Sequence, residues 1–297
     1  MFIIKNRKIF ISISAILIAL SLAMIGFWGI NFGIDFRGGS LLEVEYVSAR
    51  PEKIVVESAL KDLSMGGTLV QPVGDNGYSI KTKDISTEEK ESILALLGDE
   101  VVETSFTSVG PSVGAELVRK SILSFILVAL GIILWIAYSF RKVSKPVSSW
   151  KYGLIAVSAL VHDVIISVGF FAVFSNLMGR DADTLFVVAI LTVLGLSVSD
   201  TIVVFDRIRE NIRHMQSKSF EEVVGKSIGQ VYTRSIITSL TTILVLLALV
   251  FFGPSSTKLF AMTLAVGMVF GTYSSIFFAS PLLVMINEFQ NKSKNKK

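Results

Sequence analysis

Residues 185–205 read LFVVAILTVLGLSVSDTIVVF, and this stretch of 21 residues contains one charged side chain, Asp200. As a helix rising 1.5 Å per residue it would be about 31 Å long, which matches the hydrocarbon thickness of a bilayer. Soluble domains seldom bury a helix that is both so long and so apolar. The stretch therefore predicts a membrane-spanning helix.

The composition of the whole chain agrees with a membrane protein. Of its 297 residues, 52% are hydrophobic and 18% are charged, whereas soluble domains carry about 25% charged residues. The chain has no cysteine, which excludes disulfides, thiol catalysis and thiolate metal sites. The predicted membrane spans are residues 9–30, 119–140, 152–175, 184–205, 234–253 and 258–287. We interpret the first span as a retained anchor, because no small-residue cleavage site follows it.

The distribution of lysine and arginine predicts the orientation of the spans. Seventeen of these residues lie in four segments, and the two short loops on the other side, 176–183 and 253–258, hold one each. The four basic segments are residues 1–8, 141–151, 207–234 and 288–297. The positive-inside rule then places both termini in the cytoplasm and exports residues 31–118.

Charge is divided unequally between the exported segment and the rest of the chain. Residues 31–118 hold 7 basic and 15 acidic side chains, a net charge of −8, and the remainder carries +12. The basic part faces the anionic lipid headgroups of the cytoplasmic leaflet. Membrane lipid therefore explains the overall charge of +4, and no nucleic acid partner is needed.

The exported segment has the pattern of a small α+β domain. Alternating and helical periodicities, with hairpin and capping signals, predict the order βαββαβ, typical of a ferredoxin-like split βαβ fold. Ser86 with Glu89 forms a predicted capping box at the second helix. The predicted elements are strands at 41–47, 68–73, 77–83 and 101–109, a helix at 51–64, and a second helix that is capped by Ser86 and ends at Gly98. The segment lacks histidine and a convergent catalytic set, so binding or a lever role suits it better than catalysis.

A glycine-rich stretch, NFGIDFRGGS at residues 31–40, connects the first span to the exported domain. Its glycines permit positive φ and close backbone approach. On physical grounds we predict a tight turn here, with an ion pair between Asp35 and Arg37 at the surface. The glycines concerned are Gly33, Gly38 and Gly39.

Three stretches of the chain resemble the SecF family, the smaller membrane subunits of the bacterial SecD/SecF pair. They are FGIDFRGG at 32–39, LGLSVSDTIVVFDRIREN at 194–211 and YTRSIITS at 232–239. The resemblance implies the resistance-nodulation-division architecture, with six membrane helices forming half of a transporter. It also implies SecD, the SecYEG translocon and a translocating preprotein as partners, and proton-driven protein export without a bound cofactor.

Ionisable groups within the spans are the candidate functional residues, since such groups are costly in a bilayer and usually mark an ion path. The resemblance implies that Asp200 transports protons, and we expect Arg234 to pair with it when it is ionised. The alternative is that Asp200 only hydrogen-bonds neighbouring helices. Asp163 is a second candidate, but its neighbour His162 is not expected to face it, because adjacent helical residues point about 100° apart. We interpret Asp206 as a solvated charge at the membrane boundary.

Small residues in the last span predict close helix packing. Gly267, Gly271 and Ser275 recur at every fourth position, which suits tight contact between membrane helices. Gly195 is expected to serve the same purpose beside Asp200. Pro281 is expected to kink or end the last helix.

Enzymatic functions find little support in the sequence. Gly225 to Ser227 in the predicted cytoplasmic loop (206–233) is similar to the end of a P-loop, but Phe220 stands where a glycine is required. An intramembrane aspartyl protease would need Asp163 and Asp200 at one depth.

The sequence is also compatible with a half-size exporter of lipids or drugs and with a membrane anchor for a sensory domain. No catalytic residue, metal site or nucleotide site is predicted.

Overall fold

The computed structural model describes residues 1–61, 68–141, 147–215 and 217–294, with side chains to residue 291. The chain forms two compact units. The helical unit comprises Met1–Gly29, Ser124–Phe174 and Phe186–Lys297. The α+β unit comprises Ile30–Leu123 together with Ser175–Leu185.

Among the described residues, six helical segments are long and apolar enough to cross a membrane, so the predicted six-helix membrane fold is confirmed. They are Arg7–Trp28, Pro111–Ser139, Ser149–Leu177, Thr184–His214, Phe220–Phe252 and the last membrane segment, Ser255–Asn291, which contains a π-helical stretch. Over the described residues the helices are α1 (Phe2–Lys5), α2 (Arg7–Trp28), α3 (Ile34–Arg37), α4 (Lys53–Lys61), α5 (Thr87–Leu97), α6 (Pro111–Ser139), α7 (Ser149–Leu177), α8 (Thr184–His214), α9 (Phe220–Phe252), α10 (Ser255–Tyr273) and α11 (Ser280–Lys294). The strands are β1 (Gly39–Tyr46), β2 (Leu69–Val73), β3 (Gly77–Thr82) and β4 (Val101–Val109).

Helices α8 and α9 extend well beyond the apolar runs that revealed them. The segment 206–233, expected to be a loop, is mostly helical, because α8 continues to His214 and α9 begins at Phe220. A capping box between Ser219 and Glu222 starts α9. Apolarity detects only the part of a helix that contacts hydrocarbon, and the polar turns beyond it carry no such signal.

The last membrane segment packs closely along α8 in the helical unit. A Cβ atom on Gly267 would overlap a methyl carbon of Val193, and one on Gly271 would lie 3.0 Å from the Cβ atom of Ser197. One turn further, Ser275 shares a hydrogen bond of 2.7 Å with Thr201 on α8. Positions four residues apart on one helix therefore meet positions four residues apart on the other.

Gly195 does not take part in this packing. It is exposed, and among the described residues no atom outside its chain neighbours and its own helix backbone lies within 4 Å of the position where its Cβ would stand. Because Gly195 is two residues from both Val193 and Ser197, it points about 200° around the helix from them. Our expectation that it packs against a neighbouring helix is wrong for the contacts within this chain.

Pro281 does not end the last membrane segment. The helix continues from Ser280 to Lys294 after a π-helical stretch at Ser274–Ala279. Proline cannot donate the backbone hydrogen bond to the residue four positions earlier, and its ring crowds that carbonyl. The wider π turn directly before it accommodates this conflict, and the helix continues beyond Pro281.

The α+β unit has the predicted topology. Its sheet has the order β2-β3-β1-β4, and all neighbouring strands are antiparallel. Strand β3 thus lies between β1 and β2, which defines the split βαβ fold and confirms the prediction. The capping box of Ser86 and Glu89 is also confirmed. The predicted end of the first helix, at Ser64, lies outside the described residues.

We expect Gly267→Ala to destabilise the protein by about 1–3 kcal/mol, because the added methyl group overpacks a site whose neighbour, Val193, is β-branched and stiff. Gly195→Ala is the matched control, since that position is open. Thermal unfolding of the purified protein in detergent measures the effect. Val193→Ala should restore part of the lost stability in the Gly267→Ala background, and equal melting temperatures for the two glycine variants would contradict the packing described.

Candidate functional site

Asp163 of α7 is the centre of a buried polar cluster in the helical unit. Its carboxyl group is fully buried, and Ser274 Oγ donates a hydrogen bond of 2.8 Å to Oδ2. Ser197 Oγ of α8 donates to the same oxygen. The second oxygen, Oδ1, lies 2.8 Å from Nδ1 of His162. The carboxyl group therefore joins α7, α8 and the start of the π-helical stretch.

His162 and Asp163 do contact each other, contrary to the expectation from their adjacent positions on a helix. The imidazole ring is fully buried and stacks between Tyr273 and Phe278, with centroid distances of 6.2 and 5.3 Å. This stacking orients the ring so that Nδ1 reaches the neighbouring carboxylate. Its other nitrogen, Nε2, is buried without a hydrogen-bond partner among the described residues.

Asp200 of α8 has a different environment, three residues beyond Ser197. Its Oδ1 accepts a hydrogen bond of 2.9 Å from Ser235 Oγ of α9. Its Oδ2 is buried and has no hydrogen-bond partner within the part of the chain that the structure describes. Thr272 of α10 lies beside the carboxyl group and shares a hydrogen bond with Ser239 of α9. Asp200 thus faces a row of hydroxyl groups from two helices and keeps one oxygen atom unpaired.

Arg234 forms no ion pair with Asp200 in the described structure, so the pair expected from the sequence is not formed in this conformation. The arginine side chain is exposed, and its charge acts on Asp200 only at longer range. Ser235, the next residue of α9, points at the carboxyl group instead, because successive helical residues point about 100° apart. Asp206 pairs with Arg209 at the helix surface, as suits a boundary charge.

The two intramembrane aspartates do not form a catalytic pair. Asp163 lies level with Ser197, while Asp200 is three residues further along α8, a rise of about 4.5 Å. Within the described ranges the two carboxyl groups share no hydrogen-bond partner. The arrangement does not suit a protease that activates one water between two carboxylates.

The segment similar to a P-loop has no loop geometry. Gly225, Lys226 and Ser227 all lie inside α9. Ser227 Oγ donates to the carbonyl of Val223, 2.7 Å away, and accepts a hydrogen bond of 2.8 Å from Asn211 of α8. The residues thus connect two helices and do not form a phosphate-binding loop.

The glycine-rich stretch forms a compact junction in the α+β unit. Gly38 and Gly39 have φ values of +77° and +127°, which side chains rarely adopt. A Cβ atom on Gly38 would lie 2.8 Å from Cα of Pro111, and one on Gly39 would lie 2.6 Å from the carbonyl oxygen of Thr82. Only glycine fits at these two positions, because both the backbone angles and the contacts exclude a side chain.

Asp35 caps helix α8. Its Oδ2 accepts hydrogen bonds from the backbone N–H and the hydroxyl of Thr184, at 2.8 and 2.7 Å, and Thr184 is the first residue of α8. The surface pair with Arg37 expected from the sequence is wrong for the described structure, where Arg37 is exposed and not paired with Asp35. A carboxylate at a helix N-terminus satisfies free N–H groups and complements the helix dipole.

The hydroxyl partners of the two aspartates are not apparent from the sequence. No local pattern identifies Ser197, Ser235, Thr272 and Ser274 as partners of Asp163 and Asp200. The available signal was the recurrence of serine and threonine on several apolar spans, which is unusual where water is absent. Which hydroxyl meets which carboxylate depends on helix rotation, which the sequence does not give.

Comparisons with known proteins agree with this architecture. The family model described as "Protein export membrane protein SecD/SecF, C-terminal" matches residues 89–289, and the "SecD/SecF GG Motif" model matches residues 24–49. Protein translocase subunit SecF of Thermobaculum terrenum is 42% identical, over 95% of this chain and 92% of that protein. The SecF subunit of Anaerolinea thermophila is 36% identical, over 95% of this chain and 93% of that protein.

A solved structure has the same fold. The crystal structure of SecDF from Thermus thermophilus, described as a translocon-associated membrane protein, aligns with a TM-score of 0.82 and 30% sequence identity. The alignment covers 96% of this chain, which spans 38% of the SecDF chain. Given the matched motifs, the identities over nearly the full length and the shared fold, the chain belongs to the SecF family of protein translocase subunits.

Proposed function

We propose that this chain is one half of a SecD/SecF complex that assists protein export across the bacterial cytoplasmic membrane and draws its energy from the proton gradient. The observation that carries the proposal is the buried Oδ2 atom of the Asp200 carboxyl group, which has no hydrogen-bond partner among the described residues. Helices that cross a lipid layer retain such groups where an ion path runs.

The unpaired oxygen explains why Asp200 suits proton transport. An ionised carboxylate in an apolar setting needs several donors, and Ser235 supplies one. The neutral acid needs fewer partners, so uptake of a proton relieves the burial cost. Arg234, exposed one residue before Ser235, is the group we propose to pair with Asp200 in another conformation. Protonation would then decide between two arrangements of α8 and α9.

Asp163 supports the same proposal in a different role. Both of its oxygens are engaged by donors from three helical segments. A carboxyl group so bound holds helices in register, and we assign proton exchange chiefly to Asp200. His162 contacts Asp163 directly, so proton exchange at this pair would act on the whole cluster.

The partner that we propose is SecD. Transporters of this superfamily combine two similar halves, and six helices provide one of them. The exposed apolar side chains of α6 and α9, among them Trp135 and Val245, need lipid or a second set of helices around them. We further propose that both termini are cytoplasmic, that residues 31–118 are exported, and that SecYEG and the translocating preprotein are the functional partners.

Replacing the carboxyl group of Asp200 tests its proposed role in proton transport. Asp200→Asn cannot exchange a proton, so we expect it to abolish gradient-driven stimulation of export while leaving membrane insertion and SecD binding intact. Translocation by the purified complex in vesicles with an imposed gradient measures this. Asp206→Asn is the matched control and should keep full stimulation, because that residue is a surface charge.

The same assay tests the partner residue and the ion. Arg234→Met should also abolish stimulation if the arginine pairs with Asp200 during the cycle. Comparing imposed H⁺ and Na⁺ gradients identifies the coupling ion, and one charge moved through 100 mV supplies about 2.3 kcal/mol. Full stimulation by Asp200→Asn, or by the parent protein in a Na⁺ gradient alone, would overturn proton coupling through this residue.

A further prediction separates the two aspartates by stability. In Asp163→Asn an amide NH₂ replaces one acceptor oxygen, so that either Ser197 and Ser274 together or the His162 N–H lose their acceptor, at a cost of about 1–3 kcal/mol. In Asp200→Asn the amide can occupy the unpaired position, and we expect little change. Thermal unfolding of the purified variants measures both effects. Equal melting temperatures would contradict the proposed structural role of Asp163.

A further inference from the structure

The connection between α7 and α8 is part of the α+β unit, although it lies far from that unit in sequence. The unit includes residues 175–185, which we call the strap. Ala182 at its centre is fully buried and forms an isolated parallel bridge with Phe32. The N–H of Gly33 donates to the carbonyl of Ala182 at 2.8 Å, and the N–H of Ala182 donates to the carbonyl of Asn31 at 2.7 Å.

Two ion pairs fasten the strap to the sheet. Arg180 donates to Glu43 of β1 at 2.8 Å, and Asp181 accepts from Lys81 of β3 at 2.7 Å. The side chains of the second pair are each 16% exposed, so water screens them less than it screens a surface pair. Because the two pairs involve neighbouring strands, β1 and β3, they hold the strap in contact with the sheet and also oppose sliding of the strap across the sheet.

The strap ends in the helix that carries Asp200. Asp35 caps α8 at Thr184, and α8 continues without interruption to His214. Asp35 belongs to the short helix α3 between Gly33 and Gly38, so the glycine-rich stretch holds both the strap and the first turn of α8. Continuity along one helix joins this cap to Asp200, sixteen residues further on.

We propose that the strap and the rest of the α+β unit move as one body during the transport cycle. In this proposal Asp35 is a positioning residue, which couples movement of that unit to α8. The inference rests on the proposed function, since it concerns the cycle in which Asp200 exchanges a proton. It assigns a mechanical purpose to the glycine-rich stretch. The glycines allow close contact, and Asp35 makes the connection to the helix.

The absence of cysteine in the chain allows a direct test with the pair Phe32→Cys and Ala182→Cys in the complex with SecD. The two residues are bridge partners, so their spacing suits a disulfide. If strap and unit move together, oxidation should leave gradient-driven export as high as in the reduced sample. Loss of export on oxidation, restored by reduction, would show that the strap must separate from the unit and would overturn the proposal.

Variants at Asp35 test the positioning role. Asp35→Ala removes the cap and should lower gradient-driven stimulation about fivefold, the equivalent of one lost cap, whereas Asp35→Asn keeps an acceptor oxygen and should retain most of it. Oxidation of the cysteine pair in the Asp35→Ala background should restore stimulation, which a general folding defect would not allow. Full stimulation by Asp35→Ala, or no recovery on oxidation, would contradict the role.

Hydrogen exchange of the same complex tests whether the strap and the rest of the unit form one body, independently of the proposed function. The amides of Gly33, Ala182 and Thr184 should be equally protected in the parent protein and lose protection together in Asp35→Ala. This result does not depend on export. If the parent shows no gradient-driven stimulation, the proposed function fails, and exchange alone then decides whether strap and unit form one body. Independent exchange of the three amides would overturn it.

Discussion

Polar groups inside a lipid layer have no water to bind, and this constraint organises the helical unit. A buried carboxylate must find its donors among the other helices, since each helix has already used its own backbone groups. Asp163 meets this demand with Ser197, Ser274 and His162, which come from three helical segments. One carboxyl group thereby fixes how α7, α8 and the last membrane segment are rotated and how deep each one lies.

Hydrogen bonds of this length require helices that lie unusually close together, and the small residues of the last segment provide that closeness. Gly267 and Gly271 bring its backbone against α8, which lets Ser275 reach Thr201. The π-helical stretch begins at Ser274, the residue that reaches Asp163 on α7. Consecutive serines thus serve two different helices at the point where the helical geometry changes, a frequent position for π turns at functional sites.

The sequence predicted those features that depend on local pattern. Apolar runs revealed six spans, alternation and capping signals revealed the βαββαβ order, and the spacing of small residues indicated the packing face. It did not predict the continuation of α8 and α9 into polar turns, the π-helical stretch, or the cap on Thr184. The polar turns carry no apolar signal, the π-helical stretch depends on how a helix accommodates Pro281 within a packed bundle, and the cap depends on a partner distant in sequence. For the same reason the sequence indicated Arg234 as the partner of Asp200, where helix rotation brings Ser235.

The contrast between the two aspartates sets the energy scale of a transport cycle. One proton crossing 100 mV yields about 2.3 kcal/mol, which is comparable to one or two buried hydrogen bonds at about 1–1.5 kcal/mol each. That energy is sufficient to exchange the hydrogen bond that Ser235 donates to Asp200, but not to break the three contacts of Asp163 together. Under the proposed function, proton exchange at Asp200 would therefore shift α8 against α9 while the Asp163 cluster keeps α8 with α7 and the last segment. A helix held firmly on one side and loosely on the other can transmit a small displacement along its length.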